Sequence, residues 1–353
     1  MTPPRAPLLV FCAIAIGTTC AIAAVTWSMG WTVNSRPWGL LVPFAMWAPA
    51  AARVVARRTV DRDFRSTLPL RRWGTTGAAV VLRPLAFPLL VYGVAYAIAW
   101  STGLAQWNPG EGKWTTGSQI AANVIINLAL LGIIGTFTAM GEEIGWRGYL
   151  QPRLDVAGVR SSLIIVWIVQ LAYHLPLMIG AGYVDLGSLP VSFALFAIGD
   201  LPFTFIATRE SYLARSLWPA VFLHSFHNTI SQWLFPKFFT VSGGQIWLHG
   251  EDGVLPMAGY AALGLLFVIA MRRRSQSWQA FAHDALAEGG AIFGRGAASR
   301  WGGQSGRWAA ASAAVGPAAH AALCNREGRD TPNISHSSSM SAQIGVRRAR
   351  SAK

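Results

Sequence analysis

Apolar residues in this chain fall in long runs separated by short charged connections, not in the close alternation of a soluble helix or strand. A helix needs roughly 20 apolar residues to cross a bilayer. Eight runs reach or approach that length, at about 8–28, 38–56, 78–100, 119–141, 161–180, 189–208, 217–235 and 254–271. The sixth and seventh contain prolines, which membrane helices tolerate when packed against neighbours. The pattern predicts an all-α fold, a polytopic transmembrane helical bundle of about eight spans.

From Ser275 onward the apolar periodicity stops and the sequence becomes low in complexity, as in WGGQSGRWAAASAAVG and SHSSSMSAQ. Such a composition predicts a disordered basic C-terminal tail over 275–353. The expected organisation is then N-terminal helices with a basic loop over 1–118, a core over 119–235, a last span with a basic stop over 236–274, and the tail.

Composition agrees with a membrane protein. The chain is 53% hydrophobic and 12% charged, with mean hydropathy +0.38, whereas soluble domains carry about a quarter charged residues. Its 16 tryptophans suit the membrane–water interface. The net charge of +14 is explained by clusters at span ends, so no nucleic-acid partner is implied. With the N-terminus inside, the cytoplasmic segments hold sixteen basic residues, and the outer loops hold only Arg36, Lys113 and Lys237. This asymmetry predicts that both termini are cytoplasmic. The basic stretch 53–75 is expected on the anionic inner leaflet. The three lysines among 29 basic residues, with abundant Ala and Gly, suggest a GC-rich bacterial source and hence an inner (plasma) membrane. Cys12, Cys20 and Cys324 form no CxxC and no disulfide framework.

An ionisable residue at membrane depth is costly and marks function by default. Glu142, Glu143 and Arg147 follow directly on the fourth apolar run. On a helix, Glu143 and Arg147 are four apart and share a face, whereas Glu142 points about 100° away. Glu143 is thereby the structural acid and Glu142 the free one, suited to a general base unless the cluster only ends the helix. His174 lies deep in the fifth run, either functional or a packing residue. It is some 14 residues past Arg160, about 21 Å along a helix, so it needs a water-filled cavity or a helix that begins outside the bilayer. His224 and Asn228 share a face of the seventh run, able to polarise a carbonyl oxygen or to bond neighbouring helices. His227 reads as packing. Asp200 stands without an obvious partner and is secondary, with Arg209 a distant candidate. Acids, histidines and an amide on three spans suggest a hydrolytic site.

The order Glu142-Glu143-Ile-Gly-Trp-Arg147, then His174-Leu-Pro, then His224-Ser-Phe-His-Asn228 resembles the CPBP family of intramembrane proteases. That family includes the eukaryotic CAAX prenyl endopeptidases and bacterial abortive-infection-like proteins. The resemblance covers roughly 119–235. It implies that Glu142 and His174 activate water, that His224 and Asn228 form the oxyanion hole, and that Glu143 and Arg147 orient the site. Two positions depart from the family pattern: Gln170 stands where a Phe is usual, and Asp200 where a small or apolar residue is usual. The family has been called metalloprotease-like, and Glu142, His174 and His224 would be the ligands of a divalent metal such as zinc. With no HExxH motif, a cofactor-free mechanism is the expectation.

The expected activity is a glutamate-dependent endopeptidase acting on a membrane protein or peptide near the cytoplasmic leaflet. The rival readings are a non-enzymatic immunity or scaffold protein and a proton-coupled transporter using Glu142 and His174 as a relay.

Overall fold

The computed structural model describes residues 5–62, 64, 68, 70, 73–183, 186–242, 245–248, 253–273 and 277–290. The fold is an all-α bundle: α1 (Arg5–Ser28), α2 (Trp38–Thr59), α3 (Ala79–Ser101), α4 (Gly117–Gly145), α5 (Gln151–Val156), α6 (Ser162–Ala181), α7 (Leu189–Ala214), α8 (Trp218–Thr229), α9 (Val254–Arg273) and α10 (Trp278–Gly290). Two three-residue strands, β1 (Ala105–Trp107) and β2 (Phe239–Val241), pair antiparallel across the loops after α3 and α8.

Among the described residues, seven helical segments are long and apolar enough to cross a membrane. They match seven of the eight expected spans, so the protein is a multi-pass membrane protein. The exception is the expected span 217–235. Its regular helix stops after 12 residues at Thr229 and continues as a π turn, Ile230–Leu234. This helix carries Ser225, His227 and Asn228 among its apolar positions and packs against α3, α4 and α7. It is a central helix of the bundle, enclosed by these neighbours, and with its π turn it carries the chain from the end where α3 starts to the end where β2 pairs with β1.

A second difference concerns α4. The fourth run does not leave the bundle at Met140. A capping box between Thr116 and Gln119 starts the helix. The helical path then runs through Glu142 and Glu143, a π turn at Trp146–Leu150, and α5, giving one 40-residue segment from Gly117 to Val156. The charges do not end the helix: Glu143 and Arg147 pair with each other inside the protein, and Glu142 accepts from Trp146. Arg147 is fully buried and therefore does not count among the loop charges that orient the chain.

Small residues set the position of this segment. A Cβ on Gly141 would lie 2.6 Å from the Met46 carbonyl oxygen, and one on Gly145 would lie 2.3 Å from Pro49 Cβ. Only glycine lets α2 and α4 approach this closely. On the other side of α4, Ser225 donates to the Gly132 carbonyl at 3.0 Å and Thr136 donates to Ser225 at 3.1 Å, holding α8.

The connection expected on the inner leaflet is in part packed on protein. Asp61 accepts hydrogen bonds from Tyr149 and Arg153, each at 2.9 Å, and Leu68 is buried with Tyr212, Leu217 and Val221. Arg65, Arg71 and Arg72 lie outside the described residues.

The tail boundary expected at 275 also moves. α10 is a regular helix whose Ala282 and Leu286 are buried in that same cluster. The remainder of the expected tail, 291–353, lies outside the described residues.

Candidate active site

Glu142 occupies α4 one turn before Trp146. It is buried, and its Oε2 accepts the Trp146 indole N–H at 3.0 Å. Trp146 is itself locked among Phe11 and Tyr173, with ring centres 5.4 and 5.3 Å away. Glu142 is thus held by a neutral donor and keeps its acceptor capacity. Glu143 points elsewhere, as the helical wheel requires. It receives Arg147 Nη1 on both oxygens, at 3.0 and 3.1 Å, with both side chains fully buried. The same carboxylate takes His224 Nδ1 at 3.0 Å from α8.

His174 projects from α6. Its Nδ1 lies 2.8 Å from the backbone oxygen of Gln170. A carbonyl oxygen only accepts, so Nδ1 carries the hydrogen, and the neutral ring keeps its lone pair on Nε2. The ring stands perpendicular to Tyr173, 4.8 Å away. Tyr173 is fixed by donating to the Ala45 carbonyl at 2.7 Å.

Gln170 replaces the expected Phe without leaving its amide oxygen unmet. It is buried, and its Oε1 accepts the Thr204 hydroxyl from α7 at 2.7 Å. The pair substitutes a hydrogen bond for an apolar contact between α6 and α7.

These groups surround one cavity of about 50 Å³, lined by Glu142, Gln170, His174, Asp200, His224 and Asn228. Apolar and aromatic walls come from Phe196, Phe203, Met257 and Tyr260. Of the sequence-selected residues, Glu142, His174, His224 and Asn228 share the cavity, and Glu143 and Arg147 back it as an ion pair. The cavity also meets the need raised by the depth of His174, since Glu142 itself lies well inside the 40-residue segment. His227 lines the cavity too, with Nδ1 2.8 Å from the Tyr260 hydroxyl.

Asp200 is the residue that the sequence left without a place. Arg209 does not take it up: Arg209 pairs with its neighbour Glu210 and lies 4.5 Å from the ring centre of Phe267. Asp200 instead faces the cavity, and its Oδ2 is sealed from solvent with no hydrogen-bond partner. The signal that would have found it is its helical spacing, four residues from both Phe196 and Thr204 on one face of α7.

Among the described residues, no group of three or more His, Cys, Asp or Glu is arranged to bind an ion.

Residues 123–230 match the family described as type II CAAX prenyl endopeptidase Rce1-like. The matched stretch contains every residue of the three motifs. No curated protein matches the sequence.

Proposed function

We propose that this protein is an intramembrane endopeptidase that hydrolyses a peptide bond using Glu142 as general base. The observation that carries the reading is the sharing of one cavity by Glu142, His174, His224 and Asn228, within a segment matching a CAAX-type endopeptidase family.

In this mechanism a water molecule sits between Glu142 and Nε2 of His174. Glu142 removes one proton as the water oxygen bonds to the substrate carbonyl carbon. Asn228 and His224, one helical turn apart on α8, donate to the developing oxyanion. The tetrahedral species collapses with cleavage of the C–N bond, and the departing amine takes a proton from Glu142. Glu143 and Arg147 hold α8 against α4 and fix the His224 ring. The mechanism requires no metal.

The substrate is a membrane protein or peptide cut near the cytoplasmic leaflet, and prenylation is not required of it. The protein resides in a bacterial plasma membrane with both termini cytoplasmic. This orientation is supported by Arg5, Arg57, Arg58, Arg62, Arg160 and Arg272–Arg273 at span ends.

The test compares membrane-peptide termini in cells with the wild-type protein, with none, and with Glu142→Ala at matched abundance. Termini unique to the wild type support peptidase action and name a substrate. Identical termini in all three, with the cellular phenotype rescued by Glu142→Ala, would favour a binding or scaffold protein.

A further inference from the structure

The three catalytic motifs leave one charged group in the cavity without a task, the carboxylate of Asp200. Its position follows from α7. Phe196, Asp200 and Thr204 succeed one another at intervals of four on one helical face. At one end of this row the Phe196 ring meets the His174 ring at 4.8 Å. At the other end Thr204 donates to Gln170 at 2.7 Å. Asp200, between them, therefore faces the His174 side of α6 across the cavity.

A sealed carboxylate oxygen calls for a donor, and among the described residues none reaches it. Arg147 gives Nη1 to both oxygens of Glu143, while its Nε and Nη2 are buried and make no hydrogen bond to Asp200 or any other group. Arg209 is paired with Glu210. Glu142, a second carboxylate on another wall, accepts the Trp146 indole N–H. The Nδ1 atoms of His174 and His224 are engaged by Gln170 and Glu143. Among the described residues, neither Asp200 Oδ2 nor Glu142 accepts a hydrogen bond from an arginine or lysine, and two acids in one cavity favour a cationic ligand. The rings of Phe196, Phe203 and Tyr260 line the same space. Such walls suit the methylene stem of a long basic side chain and its cationic head.

We propose that Asp200 anchors a subsite for a basic side chain, so that the enzyme selects peptides carrying lysine or arginine beside the scissile bond. This specificity rests on the peptidase reading above. Glu142 remains the base, and Asp200 sets which residue lies next to the bond that is cut.

The experiment uses the full-length protein purified in detergent and a set of fluorescein-labelled peptides. They are identical except at one position, scanned along the peptide, which holds Arg, Lys, the uncharged norleucine or Glu. Binding is read by fluorescence anisotropy in the Glu142→Gln background, and cleavage is read with the wild type. The expected result is that Arg and Lys peptides bind at least about tenfold tighter than norleucine at one position. Adding Asp200→Asn brings that ratio to about one, and adding Asp200→Arg turns the preference toward Glu. Equal binding of basic and norleucine peptides to Glu142→Gln overturns the subsite, as does a basic preference that survives Asp200→Asn. Uniform weakening of all peptides by Asp200→Asn also overturns it, because Asp200 would then be a structural strut. The two readings fail separately. Selective binding without any cleavage by the wild type leaves the subsite standing and removes the peptidase. Cleavage of norleucine peptides as fast as arginine peptides does the reverse.

Discussion

One carboxylate oxygen of Glu143 lies 3.0 Å from His224 Nδ1 and also 3.0 Å from Arg147 Nη1. The second acid of the motif therefore joins α4 to α8 while neutralising a fully buried guanidinium. Replacing it by glutamine preserves shape but leaves Arg147 charged and uncompensated. Removing one member of a buried pair costs about 3–5 kcal/mol. Glu143→Gln is expected to lower the thermal unfolding temperature in detergent sharply. Glu142→Gln, whose partner is a neutral indole, should unfold near the wild-type temperature and lose activity by about a hundred- to ten-thousand-fold. If the two variants are equally unstable, this division of labour is wrong.

In the proposed mechanism Asn228 donates to charge that exists only in the transition state. Asn228→Ala is therefore expected to reduce kcat by about a hundred- to a thousand-fold with little change in KM. Steady-state kinetics on a cleaved peptide will separate this outcome from a binding defect, in which KM rises and kcat holds.

The approach of α2 to α4 tolerates no side chain at Gly145, where an added Cβ would sit 2.3 Å from Pro49 Cβ. Overpacking of this kind costs about 1–3 kcal/mol. Gly145→Ala is expected to lower unfolding temperature and abundance, and to lower activity too, since α2 would have to shift against the helix bearing Glu142. Gly17→Ala, at a glycine with open space around it, is the control and should leave all three unchanged.

Thr204 matters through Gln170. Thr204→Val deletes the donor at 2.7 Å and leaves a buried amide oxygen unmet, a loss of about 1–3 kcal/mol. The double variant Thr204→Val with Gln170→Phe removes both polar partners and should recover part of that loss. Unfolding measurements on both variants will check this, and a double variant no more stable than Thr204→Val counts against the pairing.

Most of the bundle was legible because long apolar runs obey a length rule that tertiary context rarely overrides. The pairing of Glu143 with Arg147 was legible for a similar reason, as it depends on spacing along one helix. Misreadings arose where satisfaction comes from other helices. Glu142, Glu143 and Arg147 left open, in sequence, a cluster that only ends the helix, yet Trp146 and His224 bond the acids in place and the helix continues to Val156. Asp200 had no sequence neighbour to give it meaning, because α6 faces it only after folding. The α10 helix was missed through its low-complexity surroundings. Its Trp278, Phe281, Ala282, Ala285 and Leu286 do follow helical spacing, and they pack in one cluster.

The hydrogen bond between His227 and Tyr260 gives the last span a role in timing. The cavity wall contributed by Met257 and Tyr260 belongs to α9, downstream of every motif residue. During synthesis Glu142, His174, His224 and Asn228 all emerge before that wall exists. A nascent chain thus carries its whole reactive set in an unfinished enclosure, and arrival of the final helix completes the vessel in which water and substrate meet.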